Sequence, residues 1–224
     1  MSVGVDSLRA KISGMLGGLE SELSIVVDVM FPAARVVDAM QAFEKEFPTV
    51  ALRLHIEALG AVTQLVLSGV ASVGISGPEH RGLAGLEQVR VGSVELIPVA
   101  APTHPLAKSV SNSPGAARDH IQLVLADRST LTEGKDFGVV GVRSWRLADL
   151  GAKHALLVAG IGWGGMPEPM VRADLKSGRL KHLELPEWSC AFYAMQAIYR
   201  TEAPPGPAAA WLIARFAKQS DATW

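Results

Sequence analysis

Cysteine is nearly missing from this chain: Cys190 stands alone. One thiol cannot close an intrachain disulfide, so a disulfide-stapled secreted scaffold is excluded. Its place between Ser189 and Ala191, at the start of an apolar stretch, reads as a buried, inert thiol. A surplus of charge of either sign is missing too. Lys and Arg number 21 against 22 Asp and Glu, a formal net charge of −1, whereas a nucleic-acid-binding chain carries a basic surplus. No apolar run approaches the roughly 20 residues of a membrane span. The opening Met1-Ser-Val-Gly-Val-Asp6 lacks the basic segment and apolar core of a signal peptide. With 49% apolar and 19% charged residues, the chain has the make-up of an ordinary globular protein. These absences leave a cytoplasmic α/β protein of one or two domains that binds something small.

Val5, Leu8, Ile12, Met15 and Leu19 recur at alternating three- and four-residue steps, the seam of a helix that pairs with another helix. From Leu23 the pattern alternates strand and helix. Leu23 to Met30 is a near-continuous apolar run, as in a strand covered on both faces. Val36, Val37, Met40, Phe43 and Phe47 mark a helix over 32–47, which Pro48 ends. Leu52, Leu54 and Ile56 alternate with Arg53, His55 and Glu57, so 50–58 reads as a strand with one apolar face. A short helix over 61–67 and a strand over 70–75 follow, and this β-α-β-α-β order implies a mainly parallel sheet. A longer strand spans 89–101. In the second half, strands are expected at 121–126, 138–142, 180–185 and 192–199, and helices at 147–159, 169–176 and 208–218. A glycine turn is expected at 160–167, and Gly178 is placed to cap the helix before it.

Most catalytic motifs fail on context. Gly160-Ile-Gly-Trp-Gly-Gly165 has the letters of a dinucleotide fingerprint, but a helix precedes it where a strand is required. Gly74-Ile-Ser-Gly-Pro78 lacks the last glycine of a nucleophile elbow. The six histidines, His55, His80, His104, His120, His154 and His182, show no metal-ligand spacing. Asp127-Arg128 and Glu133 to Asp136 are charged but offer no carboxylate pair placed for acid–base work. No catalytic residue, metal or cofactor is therefore assigned. Ligands of parallel α/β sheets sit outside the carboxyl ends of the strands. That rule selects the turns from Asp28 to Phe31, from Leu59 to Ala61, from Val142 to Trp145 and from Gly162 to Gly164, and within them singles out Asp28, Met30, Phe31, Gly60, Ala61, Arg143, Ser144, Trp145, Gly162 and Trp163. Arg143 and Trp145 offer charge and stacking there.

Several of these stretches, taken in order, resemble one family. They are Val27-Asp-Val-Met-Phe-Pro32, Phe43-Glu-Lys-Glu-Phe-Pro48, Glu57-Ala-Leu-Gly60, Ala101-Pro-Thr-His-Pro-Leu-Ala107, Asp149-Leu-Gly-Ala-Lys-His-Ala155, Gly160-Ile-Gly-Trp-Gly-Gly-Met-Pro167 and Asp174-Leu-Lys-Ser-Gly-Arg-Leu180. The span from Leu23 to Lys218 resembles the effector-binding region of LysR-type transcriptional regulators. The resemblance implies a type 2 periplasmic-binding-protein-like fold of two Rossmann-like lobes joined by two crossover strands. Residues 1–20 would be the tail of a linker helix, 21–100 with 199–224 the first lobe, and 101–198 the second.

In such proteins a small-molecule effector binds between the lobes, and DNA is bound by a winged helix-turn-helix ahead of the linker. No such segment precedes Leu23 here, so DNA contact is expected only through a head outside this chain. The family's hydroxyl-bearing ligand contacts fall on Met30 and Ala61, both apolar in this sequence. Asp28, Thr63, Thr103, Ser144 and Trp163 are the nearby side chains able to replace them. A homodimer or homotetramer is implied, with the helix over 61–67 and the opposite lobe as contact surfaces. A free-standing solute-binding protein and a small α/β enzyme using the same cleft are the alternatives.

Overall fold

The apolar run after Ser21 forms the central strand of the first half of the molecule. A computed structural model of the chain describes residues 18–78, 83–109, 112–135, 137–188 and 192–218. The predicted helical seam from Val5 to Met15, and Cys190 and His80, lie outside the described residues. The chain divides into two compact units. Among the described residues, the first holds those of 18–57, 62–92 and 195–218, and the second those of 58–61 and 93–194.

In the first unit, β1 (Glu22–Asp28) lies between two parallel neighbours, β2 (Ala51–Glu57) and β3 (Val73–Ser76). The nine-residue β9 (Phe192–Arg200) runs antiparallel to β3, giving the order β2-β1-β3-β9. This central position explains the unbroken hydrophobicity of β1, whose residues 25–28 are all buried. Helix α1 (Ala33–Glu46) starts after Pro32 and turns Val36, Ala39 and Phe43 inward. Its last turn meets Trp211 of the helix at Pro207–Ala217 in an aromatic cluster: the Phe43, Phe47 and Trp211 rings lie 5.1–6.2 Å apart. Helix α2 (Gly60–Leu67) contributes Val62 and Val66 to a cluster with Val26, Ala71 and Ile198.

The strand over 50–58 forms as expected, but its apolar face is not covered. Strand β2, at the sheet edge and paired with β1 alone among the described residues, leaves Leu54 40% and Ile56 52% exposed.

The long strand β4 (Leu86–Ala100) and β9 each contain a boundary between the units, at 92/93 and 194/195, so two strands carry the chain across. In the second unit, β4 pairs antiparallel with β7 (Gly164–Pro167) and β8 (Lys181–His182). A short α3 (Pro105–Lys108) follows, with the His104 side chain accepting from the Leu106 N–H. Strands β5 (Gln122–Leu125) and β6 (Ser144–Leu147) form a separate parallel pair. Helices α4 (Leu150–Val158) and α5 (Glu168–Ser177) come next in the chain. Gly178 at φ 73° caps α5, as the sequence implied. Helix α6 (Pro207–Ala217), in the first unit, is the last described element. The Glu20 carboxylate accepts from its Ala208 and Ala209 N–H groups at 3.0 and 3.1 Å.

Three expectations for the second half are corrected. The strand placed at 138–142 does not form. Buried Gln122 takes that segment's backbone groups instead: its Oε1 accepts from the Val140 and Gly141 N–H at 2.8 Å, and its Nε2 donates to the Gly138 carbonyl at 2.7 Å. The strand lies a few residues later, as β6, and the helix accordingly begins at Leu150, not at Leu147. The glycine turn is only half a turn. Gly160 and Gly162 have positive φ, but Gly164–Pro167 is a fully buried strand.

Candidate functional site

The carboxyl ends of β5 and β6 border a cavity of about 660 Å³ built wholly from second-unit residues. Apolar surface comes from Leu59, Val124, Leu125 and Phe137. Around it stand the cations Arg128, Lys135 and Arg146, the acids Asp127 and Glu133, and the hydroxyls Ser129, Thr130 and Thr132. Most of these belong to the segment that leaves β5, where a buried hydrophobic strand gives way to polar residues. A concave site with an apolar floor and a few convergent polar groups is the usual form of a small-molecule pocket. Its place at the end of parallel strands is where α/β proteins bind ligands.

Two backbone features shape the wall. Leu59 has φ 51°, the one positive φ on a non-glycine residue among the described residues. Such a conformation costs about 1–3 kcal/mol and persists only where the surroundings hold it. Next to it, the Ala61 N–H on the first turn of α2 donates to Asp127 Oδ2 at 2.8 Å. The other carboxylate oxygen, Oδ1, accepts from the Thr132 hydroxyl, and Ser129 Oγ lies 3.1 Å from Thr132 Oγ1. Gly60 makes this approach possible. A Cβ there would run into Ser129 Oγ and stand 2.7 Å from Thr132 Cγ2.

Of the twelve residues selected from the sequence, none lines the cavity itself, and two, Gly60 and Ala61, meet its wall through Asp127. Asp28, Met30, Phe31 and Thr63 are buried in the first unit. Asp28 Oδ1 accepts from the Met30 N–H at 2.8 Å, so the carboxylate holds the turn after β1. Phe31 packs edge-on to Phe216 at 5.3 Å beneath the Arg35 guanidinium. Thr63 Oγ1 lies 3.2 Å from Ser76 Oγ. In the second unit Thr103 is exposed beside Gly160, Arg143 and Trp145 are exposed, and Ser144 is half-buried.

Gly162 and Trp163 serve packing. A Cβ at 162 would strike the Ile121 carbonyl. Trp163 is fully buried with Leu106, Ala117, Leu183 and Leu185, and its Nε1 donates to the Ala117 carbonyl at 3.2 Å. The charged residues of the cavity, Asp127, Arg128, Lys135 and Arg146, are not among the twelve. The available signal was the polar run Ala126-Asp-Arg-Ser-Thr130 directly after an apolar strand.

Among the described residues, no group of three or more His, Cys, Asp or Glu side chains could hold a metal ion. Lys153 has a shifted pKa in this unit. It is buried on α4, where its Nζ donates to the Gly165 carbonyl at 2.7 Å, and desolvation lowers its pKa from 10.5 to about 8. At His104, burial first and the neighbouring His120 second lower the pKa to about 4. The ring therefore stays neutral and keeps Nδ1 free to accept from Leu106.

Two α/β units joined by two long strands define a type 2 periplasmic-binding-protein-like fold. Solved structures share it. The CcmR regulatory domain of Synechocystis PCC6803 in complex with 2-PG superposes with a TM-score of 0.72 at 14% identity, covering 89% of this chain and 97% of that one. The effector-binding domain of QuiR in complex with shikimate gives 0.70 at 15% identity, covering 90% and 97%. Full-length LysG of Corynebacterium glutamicum with bound effector Arg gives 0.67 at 18% identity, covering 96% and 73%.

Residues 16–221 match the model of the LysR substrate binding domain, and the chain belongs to that family: it is a LysR-type effector-binding domain. The HTH-type transcriptional regulator AceR of Acinetobacter baumannii is 27% identical over 199 residues, which cover 88% of this chain. The match spans 66% of that relative's length.

Proposed function

We propose that this chain is the sensing module of a cytoplasmic transcription regulator and that the cavity after β5 receives its effector, a small organic molecule. The single observation that carries the assignment of the site is the cavity itself: about 660 Å³ of mixed apolar and charged surface at the carboxyl ends of a parallel strand pair, in a chain of the LysR substrate-binding family. Proteins of the same fold hold small molecules: shikimate in the QuiR effector-binding domain, 2-PG in the CcmR regulatory domain and the effector Arg in LysG. The mechanism is a population shift. The effector favours one arrangement of the regulatory units, the proposed lobes, by its differential affinity, and a DNA-binding segment reads that arrangement. The module senses and does not catalyse. The regulator works as a homodimer, or as a homotetramer built from such dimers. The uncovered edge of β2, with Leu54 and Ile56 exposed, is the contact surface we favour over α2, whose Val62 and Val66 are buried.

A thermal-shift screen of metabolites tests the site. By mass action, a ligand at about a hundred times its Kd adds roughly 2.7 kcal/mol of stability. Arg128→Ala, which removes a cavity cation at an exposed position, is expected to abolish the shift of a ligand found in this way. A shift that survives unchanged in Arg128→Ala and in Lys135→Ala places the effector elsewhere.

A further inference from the structure

The cavity after β5 carries more positive charge than its own acids offset. Three cations line it, Arg128, Lys135 and Arg146, against two acids, Asp127 and Glu133. One of those acids is already engaged inside the protein, because Asp127 accepts from the Ala61 N–H and from the Thr132 hydroxyl. Arg128 is exposed and has neither a hydrogen-bond nor an ion-pair partner among the described residues. Lys135 is exposed too. Its Nζ donates to the Leu131 carbonyl at 3.0 Å, which uses one of three donors. The cations reach the cavity on two separate stretches of chain. Arg146 comes from β6, where it is the register partner of Val124 on β5. Arg128 and Lys135 come from the segment that leaves β5. Val124, Leu125 and Phe137 give the same cavity its apolar surface.

We propose that the ligand of this cavity is a small organic dianion, a dicarboxylate or a phosphate monoester, whose charge is met by Arg146, Arg128 and Lys135 and whose carbon body lies on Val124, Leu125 and Phe137. The assignment rests on the reading of the cavity as the effector site, and it deepens that reading by naming the chemical class of the effector. A guanidinium binds a carboxylate or a phosphate through two parallel hydrogen bonds. Two arginines on different stretches of chain therefore suit a ligand with charge enough for both. A neutral ligand leaves the cationic surplus unmet, and a single carboxylate fills the fork of one guanidinium only.

The experiment measures four probes on the whole chain by calorimetry and thermal shift at equal ionic strength: phthalate, phenyl phosphate, benzoate and benzamide. They share one aromatic ring and differ in charge. At least one of the two dianions is expected to bind about tenfold or more tighter than benzoate, and benzamide more weakly still. A preference for phthalate assigns the dicarboxylate, and one for phenyl phosphate assigns the phosphate. Benzoate binding as tight as that of both dianions overturns the proposal. So does the absence of saturable dianion binding at about 10 mM. Arg146→Gln and Arg128→Gln locate the site. Both positions are exposed, so both variants should fold. Each is expected to weaken dianion binding about tenfold, toward the benzoate value. Arg118→Gln, at an exposed arginine outside the cavity lining, should leave it unchanged. Dianion binding that survives both cavity variants, or that falls as far in Arg118→Gln, overturns the proposal. If Arg146→Gln fails to fold, Lys135→Gln takes its place in the comparison.

The effector reading fails separately. Dianion binding lost in Arg128→Gln, beside a metabolite whose thermal shift survives Arg128→Ala and Lys135→Ala, removes the effector from this cavity and keeps the dianion site. A neutral or singly charged effector whose shift Arg128→Ala abolishes removes the dianion and keeps the effector reading.

Discussion

Lys153 shows what one buried charge does to this molecule. Its ammonium carries three donors, and the structure gives it the Gly165 carbonyl as an acceptor in a site that is 3% exposed. In the unfolded chain the group titrates near its ordinary 10.5, and in the folded protein near 8. Below pH 8 both states are protonated, and burial of the charge costs the fold the full difference, about 3 kcal/mol at most. Between pH 8 and 10.5 the unfolded state binds more protons, so this contribution to stability rises with pH. Urea unfolding of the wild type is therefore expected to show a stability gain from pH 8 to 10 that Lys153→Met lacks. Lys153→Met should also be the more stable of the two at pH 7. Parallel pH profiles for the two proteins would show that the lysine is not desolvated as the structure indicates. His104 acts on the acid side with the same sign. Lowered from 6.5 to about 4, it withdraws stability as pH falls through that window, because the unfolded state takes up its proton first.

At the scale of elements, the glycine-rich stretch from Gly160 to Gly165 is a packing device, which explains how it carries a nucleotide motif's letters without the motif's context. Gly164 lies so close to β5 that a Cβ would stand 2.6 Å from the Leu123 carbonyl oxygen. At Gly165 a Cβ would enter the Trp188 ring, 2.7 Å from Cζ2, and that ring is pinned by its Nε1 donating to the Leu96 carbonyl at 3.2 Å. Gly165→Ala is expected to destabilise the protein by about 1–3 kcal/mol through overpacking. Gly178→Ala meets nothing within 4 Å and loses only the cost of a positive φ, about 1 kcal/mol. Denaturant midpoints of the two variants check the order; a Gly165→Ala midpoint equal to the wild type's would mean that Trp188 yields freely. The same scale explains the misplaced strand at 138–142. Gln122 reaches across from β5 and satisfies that segment's backbone, a long-range decision that the local pattern of Val139, Val140 and Val142 does not contain.

At the scale of the whole molecule, β2 ends the first unit's sheet, with one backbone edge unpaired among the described residues and two large apolar side chains in solvent. Such edges invite pairing with a second chain. Leu54→Lys combined with Ile56→Lys should leave the fold intact, because both positions are exposed, and should convert a dimer to a monomer in sedimentation at high micromolar protein. A wild type that sediments as a monomer, or a double variant that stays dimeric, rules out this edge as the contact. No helix among the described residues is long and apolar enough to cross a membrane.

The sequence alone determined the elements whose signal is local. The apolar run of β1, the three- and four-residue spacing of α1, the Gly178 cap and the order of strands and helices from β1 to β4 need only periodicity and turn chemistry, and the family resemblance rested on motifs strung along the chain. Tertiary structure decided the rest, because burial and proximity belong to pairs of distant residues. Strand β2 has the alternation of a half-buried strand, yet its place at the sheet edge leaves Leu54 and Ile56 in water. Trp163 stands in a turn that the strand-end rule selects, and the fold buries it completely with Leu106, Ala117, Leu183 and Leu185. Asp127 reads as a surface charge until the fold brings it to the Ala61 N–H, where a backbone donor, a threonine hydroxyl and the bare Cα of Gly60 converge from separate stretches of chain.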